Sequence, residues 1–214
     1  MRIRLLFVVA VLMLASSALL AEELGIPGHA SSWYGEARGY WFTSPCDFDI
    51  TGLRVPTGAS SSLEQSIQIV RMDGPWAAWP ATTSAFTTLG YWGRVSSYDW
   101  IDTNIDVDPG DLIGIMGMRG GVTDYGAYSG DYWDTTICGD PVELWRFGSQ
   151  HSIEDAPAPD VWRELYPNYY LGRIEMRYEC AGGGATPELS TFALLACSGL
   201  GGLVGLGRRQ RRKA

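Results

Sequence analysis

Apolar and polar residues alternate with a period of two along most of this chain. In "GRIEMRYE" Ile174, Met176 and Tyr178 alternate with Glu175, Arg177 and Glu179, the pattern of a strand buried on one face. "QSIQIVRM" sets Ile67 and Ile69 around Gln68, and "CDFDITGLRV" sets Phe48 and Ile50 among Asp47, Asp49 and Thr51. Gly52 then shifts the phase toward Leu53 and Val55, which predicts a β-bulge. "LIGIMGM" is apolar in both phases and predicts a strand buried on both faces. "RGYWFTS", "FTTLGYWGR" and "ELWRFGS" are further candidates, and no stretch between the two ends carries a helical stripe of useful length. Short strands separated by Gly, Pro and Asp turns predict an all-β fold. The expected architecture is a single jelly-roll-like β-sandwich over residues 38–179, with residues 22–37 as a lead-in.

The two ends break the alternation. Arg2 and Arg4 precede an apolar run from Leu5 to Leu14 and then the small residues Ala15, Ser16, Ser17 and Ala18, the layout of a secretory signal peptide. Cleavage after Ala18 satisfies the small-x-small rule through Ser16. Cleavage after Ala21, giving a leader of residues 1–21, starts the mature chain on polar Glu22 and Glu23. At the other end Leu189 to Gly207 carries no charge and suffices to cross ~30 Å of hydrocarbon as a helix. Arg208, Arg209, Arg211, Arg212 and Lys213 follow at once and would hold that end in the cytoplasm. Residues 180–186, in "CAGGGATPE", form a glycine-rich linker between domain and anchor.

Pro187, Glu188, Ser190 and Thr191, ahead of one apolar helix and a basic cluster, resemble the PEP-CTERM sorting signal of exosortase substrates. Leu189 stands where that motif has its second proline, and the resemblance covers residues 187–214. It implies a Gram-negative-type envelope and an exosortase-type sorting protease as partner. It also implies anchoring in the inner membrane before processing, then a cell-surface or extracellular location beside exopolysaccharide. A second resemblance runs from Arg38 to Tyr178. "RGYWFTSPCDFDITGLRVPTGASS", "QSIQIVR", "LGYW" and "PGDLIGIMG" are similar to a β-rich domain of exported bacterial proteins with sorting tails. That likeness implies a fold and brings no reaction with it.

Charge narrows the partners. Residues 22–185 hold 23 acidic residues against nine arginines and no lysine, a net charge of −14. Such a balance excludes nucleic acid and anionic membrane surfaces as natural partners. Calcium is the one cofactor the sequence raises, through Asp99, Asp102, Asp106, Asp108 and Asp111 in "DWIDTNIDVDPGD". Those aspartates lack EF-hand spacing, and the structural reading is a Pro109–Gly110 turn before a buried strand. No zinc-ligand spacing occurs, so no metal site is expected. Ser149, His151 and Asp155 are close in sequence, but nothing like G-x-S-x-G accompanies them. Carboxylate pairs for glycoside hydrolysis are defined by spatial separation, which acid-rich sequence does not reveal.

Aromatics are the more informative excess. The chain has nine tryptophans, and "GPWAAWPAT" and "YSGDYWDT" place Trp76, Trp79, Tyr132 and Trp133 on predicted loops. Exposed indoles stack on sugar rings, whereas buried ones fill a sandwich core. Three functions therefore compete: a structural or adhesive matrix protein, a carbohydrate-binding module using Trp76, Trp79 and Trp133, and a polysaccharide-active enzyme. The first is the leading expectation, and catalysis the remotest, because no nucleophile or defined acid–base pair stands out. In an oxidising envelope two of the three domain cysteines are expected to pair, with Cys46 and Cys138, at predicted strand borders, the expected pair. Cys180 abuts the linker, and Cys197 falls in the anchor.

Overall fold

A computed structural model describes residues 21–164 and 170–181. The expected sorting signal and the expected leader, Ala21 apart, lie outside the described residues. The strands run β1 (Glu22–Glu23), β2 (His29–Tyr34), β3 (Arg38–Thr43), β4 (Phe48–Arg54), β5 (Glu64–Met72), β6 (Phe86–Ser96) and β7 (Ile101–Val107). They continue as β8 (Leu112–Arg119), β9 (Val122–Ala127), β10 (Trp133–Ile137), β11 (Asp140–Gly148), β12 (Trp162–Arg163), β13 (Tyr170–Gly172) and β14 (Glu175–Cys180). No helix occurs among the described residues. The protein is all-β, as its period-two alternation predicts.

The strands form two sheets with antiparallel pairing throughout, and neither closes on itself. One has the order β1-β14-β4-β7; the other follows β10-β11-β3-β8-β5-β6, with β12 on β11 and β2 and β13 on β9. The lead-in is part of this fabric, because residues 22–37 supply β1 and β2. Alternation along β4 and β14 sends Phe48, Ile50, Leu53, Met176 and Tyr178 inward against Tyr40, Phe42, Ile67, Ile69, Ile113 and Ile115 of the larger sheet. The expected bulge is present: the β4–β7 register shifts between Ile50 and Gly52.

A second apolar cluster occupies the other face of the larger sheet. Trp41, Val70, Met72, Met116, Met118 and Phe147 are covered there by Ile153, Ala158 and Val161 from the segment after β11. That cover is fastened by Tyr91, whose hydroxyl donates to the Ile153 carbonyl at 3.1 Å. The Ala158 N–H also donates to Gln68 Oε1 at 2.7 Å. Both faces of β5 and β8 are therefore buried, which accounts for the uninterrupted apolar run of "LIGIMGM". Glycine permits one further close approach: a Cβ on Gly172 would lie 2.4 Å from the backbone of Arg38 and Gly39. There β13 lies against β3 with no side chain between them.

The disulfide differs from the expected pair. Cys138 bonds to Cys180, and Cys46 is free. Cys138 sits in the two-residue turn between β10 and β11, where it and Gly139 both have positive φ (56° and 85°). That turn swings its sulfur toward the end of β14, and the two Cα atoms lie 5.7 Å apart. Cys46 is next door, its thiol 3.8 Å from the Ile137 carbonyl. Chain-order proximity to strand borders was a poor guide, because the linker-side cysteine lies inside β14 rather than beyond it.

Candidate glycan groove

Of the three tryptophans expected on a glycan-facing surface, one is exposed. Trp79 projects from the segment between β5 and β6 and is 44% exposed. Trp76, in the same segment, instead packs on Trp41 and Phe147 at ring separations of 5.0 and 5.2 Å and fills the second core cluster. Trp133 is not on a loop: it begins β10, leans on the first core cluster and donates its indole N–H to the Gly25 carbonyl at 2.9 Å. The structural alternative holds for these two: Trp76 gains from packing on two other rings although its indole N–H is left without an acceptor, and Trp133 from its contact with the first core cluster and its bond to Gly25.

Trp79 has other company. Trp33 of β2, 49% exposed, stands with it in a groove whose floor is Trp162, Arg38, Arg146, Glu36, Gln150 and Glu164. The groove continues past Tyr125 and Tyr170, and its two halves, each about 330 Å³, share Trp33, Arg38 and Arg146. Strand geometry brings these residues together: Gly148 of β11 pairs with Arg38 on one side and with Trp162 on the other. The missing side chain at Gly148 leaves room for the guanidinium, since a Cβ there would lie 2.7 Å from Arg38 Cδ. Both guanidiniums lie over the Trp162 ring, Arg38 at 4.9 Å and Arg146 at 5.7 Å from its centre, as cation–π pairs. Trp79 tilts against the same indole with its ring centre 5.5 Å away.

Glu36 is the hub of the floor. It accepts hydrogen bonds from Arg38 Nη2 and, at 3.2 Å, from the Trp33 indole N–H. The Gln150 amide, oriented to satisfy both of its ends, donates to Glu36 at 2.9 Å and accepts from Trp162 Nε1 at 3.0 Å. Arg38 also donates to the Ser149 and Ala37 carbonyls. Arg38 is only 4% exposed, and this burial lowers its guanidinium below the ordinary arginine value while the nearby charge of Glu36 works the other way. Arg146 donates to the Tyr125 hydroxyl at 3.3 Å and pairs with Glu164 at 3.9 Å. Two buried donors in this floor, Nε of Arg38 and Nε of Arg146, have no acceptor. The arrangement offers two exposed aromatic faces above a rigid set of donors and acceptors. That combination suits a ring with one apolar face and a polar rim.

The other sequence candidates disperse. Ser149 is buried and accepts from the His151 N–H at 3.2 Å, while His151 Nε2 lies 3.6 Å from Asp160 and Asp155 pairs with Arg94 at 2.7 Å. No triad forms from them. Asp102 and Asp106 line the exposed edge of the alternation in β7, and Asp108 to Asp111 make the expected turn, in which Gly110 has φ of 88°. Among the described residues no group of three or more His, Cys, Asp or Glu converges as metal ligands would.

Sequence reading missed Trp33, Arg38, Arg146 and Trp162. A signal was present: arginine stands beside or near tryptophan in "RGYW", "LWRF" and "VWRE", although the domain has only nine arginines. Arginine–tryptophan adjacency marks where neighbouring strands can stack guanidinium on indole. No protein-family model, curated protein or solved structure matches this chain.

Proposed function

We propose that the protein is an exported, non-catalytic adhesive component of the bacterial envelope or extracellular matrix, and that it holds glycan in the Trp33–Trp79 groove. The observation that carries this reading is the pairing of two exposed indoles with a preformed polar floor containing two buried, unpartnered guanidinium N–H groups. Sugar rings present C–H faces for stacking and hydroxyls for such donors, and a preformed floor limits the ordering cost of binding. Arg38 and Arg146 are balanced by Glu36 and Glu164, so the groove suits an uncharged, hydroxyl-rich unit better than an acidic one. Glu36 already accepts from Trp33, Arg38 and Gln150, an arrangement for fixing a ligand rather than moving protons. The two sheets and their shared core are read as a jelly-roll-like β-sandwich. The PEP-CTERM-like tail is read as sorting this domain to the cell surface through an exosortase-type protease.

Native electrophoresis of the purified protein through gels containing the source organism's exopolysaccharide tests the binding. Retarded migration that is lost in Trp79→Ala, with no release of reducing ends from the polymer, is the expected outcome. Unretarded wild-type protein, or steady depolymerisation, would overturn it.

A further inference from the structure

The larger sheet carries a second concavity, separate in chemistry from the groove. It is a cleft of about 680 Å³ over β3, β10 and β11, lined by Trp41, Trp145, Thr43, Asp134, Glu143 and Arg163 among others. Trp41 and Trp145 are cross-strand partners with ring centres 6.1 Å apart, and Tyr132 lies 5.0 Å from Trp145. Trp41 and Trp145 therefore give the cleft an aromatic wall.

Asp134 and Glu143 are the informative pair. They face one another directly on β10 and β11, both exposed, and neither has a cationic partner within ion-pair distance among the described residues. Like charges directly opposite on an antiparallel pair repel and weaken the sheet. Their field is felt nearby: Glu143 first, then Asp134, raise the Tyr132 phenol above its ordinary value. A second observation points to a ligand. Trp41, only 9% exposed, lines this cleft, and its indole N–H is buried without an acceptor.

We propose that this cleft binds a glycan unit bearing a free amine, a cationic hexosamine whose ammonium lies between Asp134 and Glu143 and whose ring stacks on Trp145. An ammonium relieves the carboxylate repulsion and gains from the aromatic faces, the combination that recognises organic cations. A divalent metal fits less well: calcium wants six to eight oxygens, and an aromatic wall offers it none. The domain's net charge of −14 draws a polycation toward this face from a distance. The cleft shares only Glu164 with the Trp33–Trp79 groove, so the two sites can succeed or fail separately.

The test is a tryptophan-fluorescence and calorimetric titration of the purified full-length protein with glucosamine tetramer and, in parallel, N-acetylglucosamine tetramer. The free-amine oligosaccharide should bind at least about tenfold more tightly and weaken as salt rises. Asp134→Asn/Glu143→Gln should lose that preference while keeping or raising the melting temperature, and Trp79→Ala should retain it. Equal affinity for the two tetramers would overturn the proposal. So would an undiminished preference in the double variant, or tetralysine or calcium binding as tightly as glucosamine tetramer does.

Discussion

Asp124 shows how one buried charge can hold a strand in place. It is 1% exposed, lies 2.7 Å from His29 Nδ1 and accepts from Arg173 at 2.9 Å, which joins β2, β9 and the residue just after β13. Removing one partner of such a pair strands the other charge. Asp124→Ala should therefore cost about 3–5 kcal/mol in urea denaturation, because it leaves Arg173 uncompensated. Buried phenols set the alkaline limit, and Tyr40 is raised furthest of them, chiefly by burial. Tyr178 is pushed up to about 12, chiefly by burial and then by its hydrogen bond to Glu22, and Tyr128 to about 12, chiefly by burial. In the unfolded chain both ionise near 10. Their contribution is thus complete below pH 10 and is lost as pH rises from about 10 to 12. Melting temperature measured against pH should fall across that window, and tyrosinate absorbance should lag behind that of the unfolded protein. At this scale the sequence was legible for Trp79, whose setting of Pro, Ala and Thr signalled a loop. It was not legible for Trp133, because the acceptor that fixes its indole is Gly25, 108 positions away in the chain.

Among elements, those with a strong apolar phase were readable. Strands β5, β8 and β14 lie where alternation or an unbroken apolar run places them, because burial on one or both faces demands that pattern. Strands β2, β9 and β12 were not, since "HASSWY" and "VTDYGA" have no clear apolar face and "WR" is too short to show one. These elements supply Trp33, Tyr125 and Trp162 to the proposed groove, whereas its Arg38 and Arg146 come from β3 and β11, whose strands were readable. The disulfide is the element-scale staple. Cys138 and Cys180 are 42 residues apart in sequence, and closing a loop of that length restricts the unfolded chain by about 4 kcal/mol. Cys138→Ser/Cys180→Ser should lose stability of that order in denaturant, whereas Cys46→Ser should cost under about 1 kcal/mol. Non-reducing peptide mapping should recover Cys138 joined to Cys180 and Cys46 free to alkylate.

At the scale of the whole molecule, the proposal joins three properties of one chain: end segments suited to export and sorting, a strongly acidic all-β domain, and a groove built for stacking. If the end segments act as proposed, fractionated cells should yield the protein in the envelope or medium, with a mature N-terminus at or near Glu22. A full-length cytosolic product would contradict that. The adhesive claim rests on Trp33 and Trp79, whose exposure makes them removable without opening the core. Its most direct measurement is a fluorescence titration of wild-type, Trp33→Ala and Trp79→Ala proteins with fragments of the source organism's exopolysaccharide. The account predicts saturable binding by the wild type, at least about tenfold weaker in each variant, equivalent to ~1.4 kcal/mol, with melting temperatures unchanged. Wild-type protein that does not bind, or affinity unchanged in both variants, would contradict it.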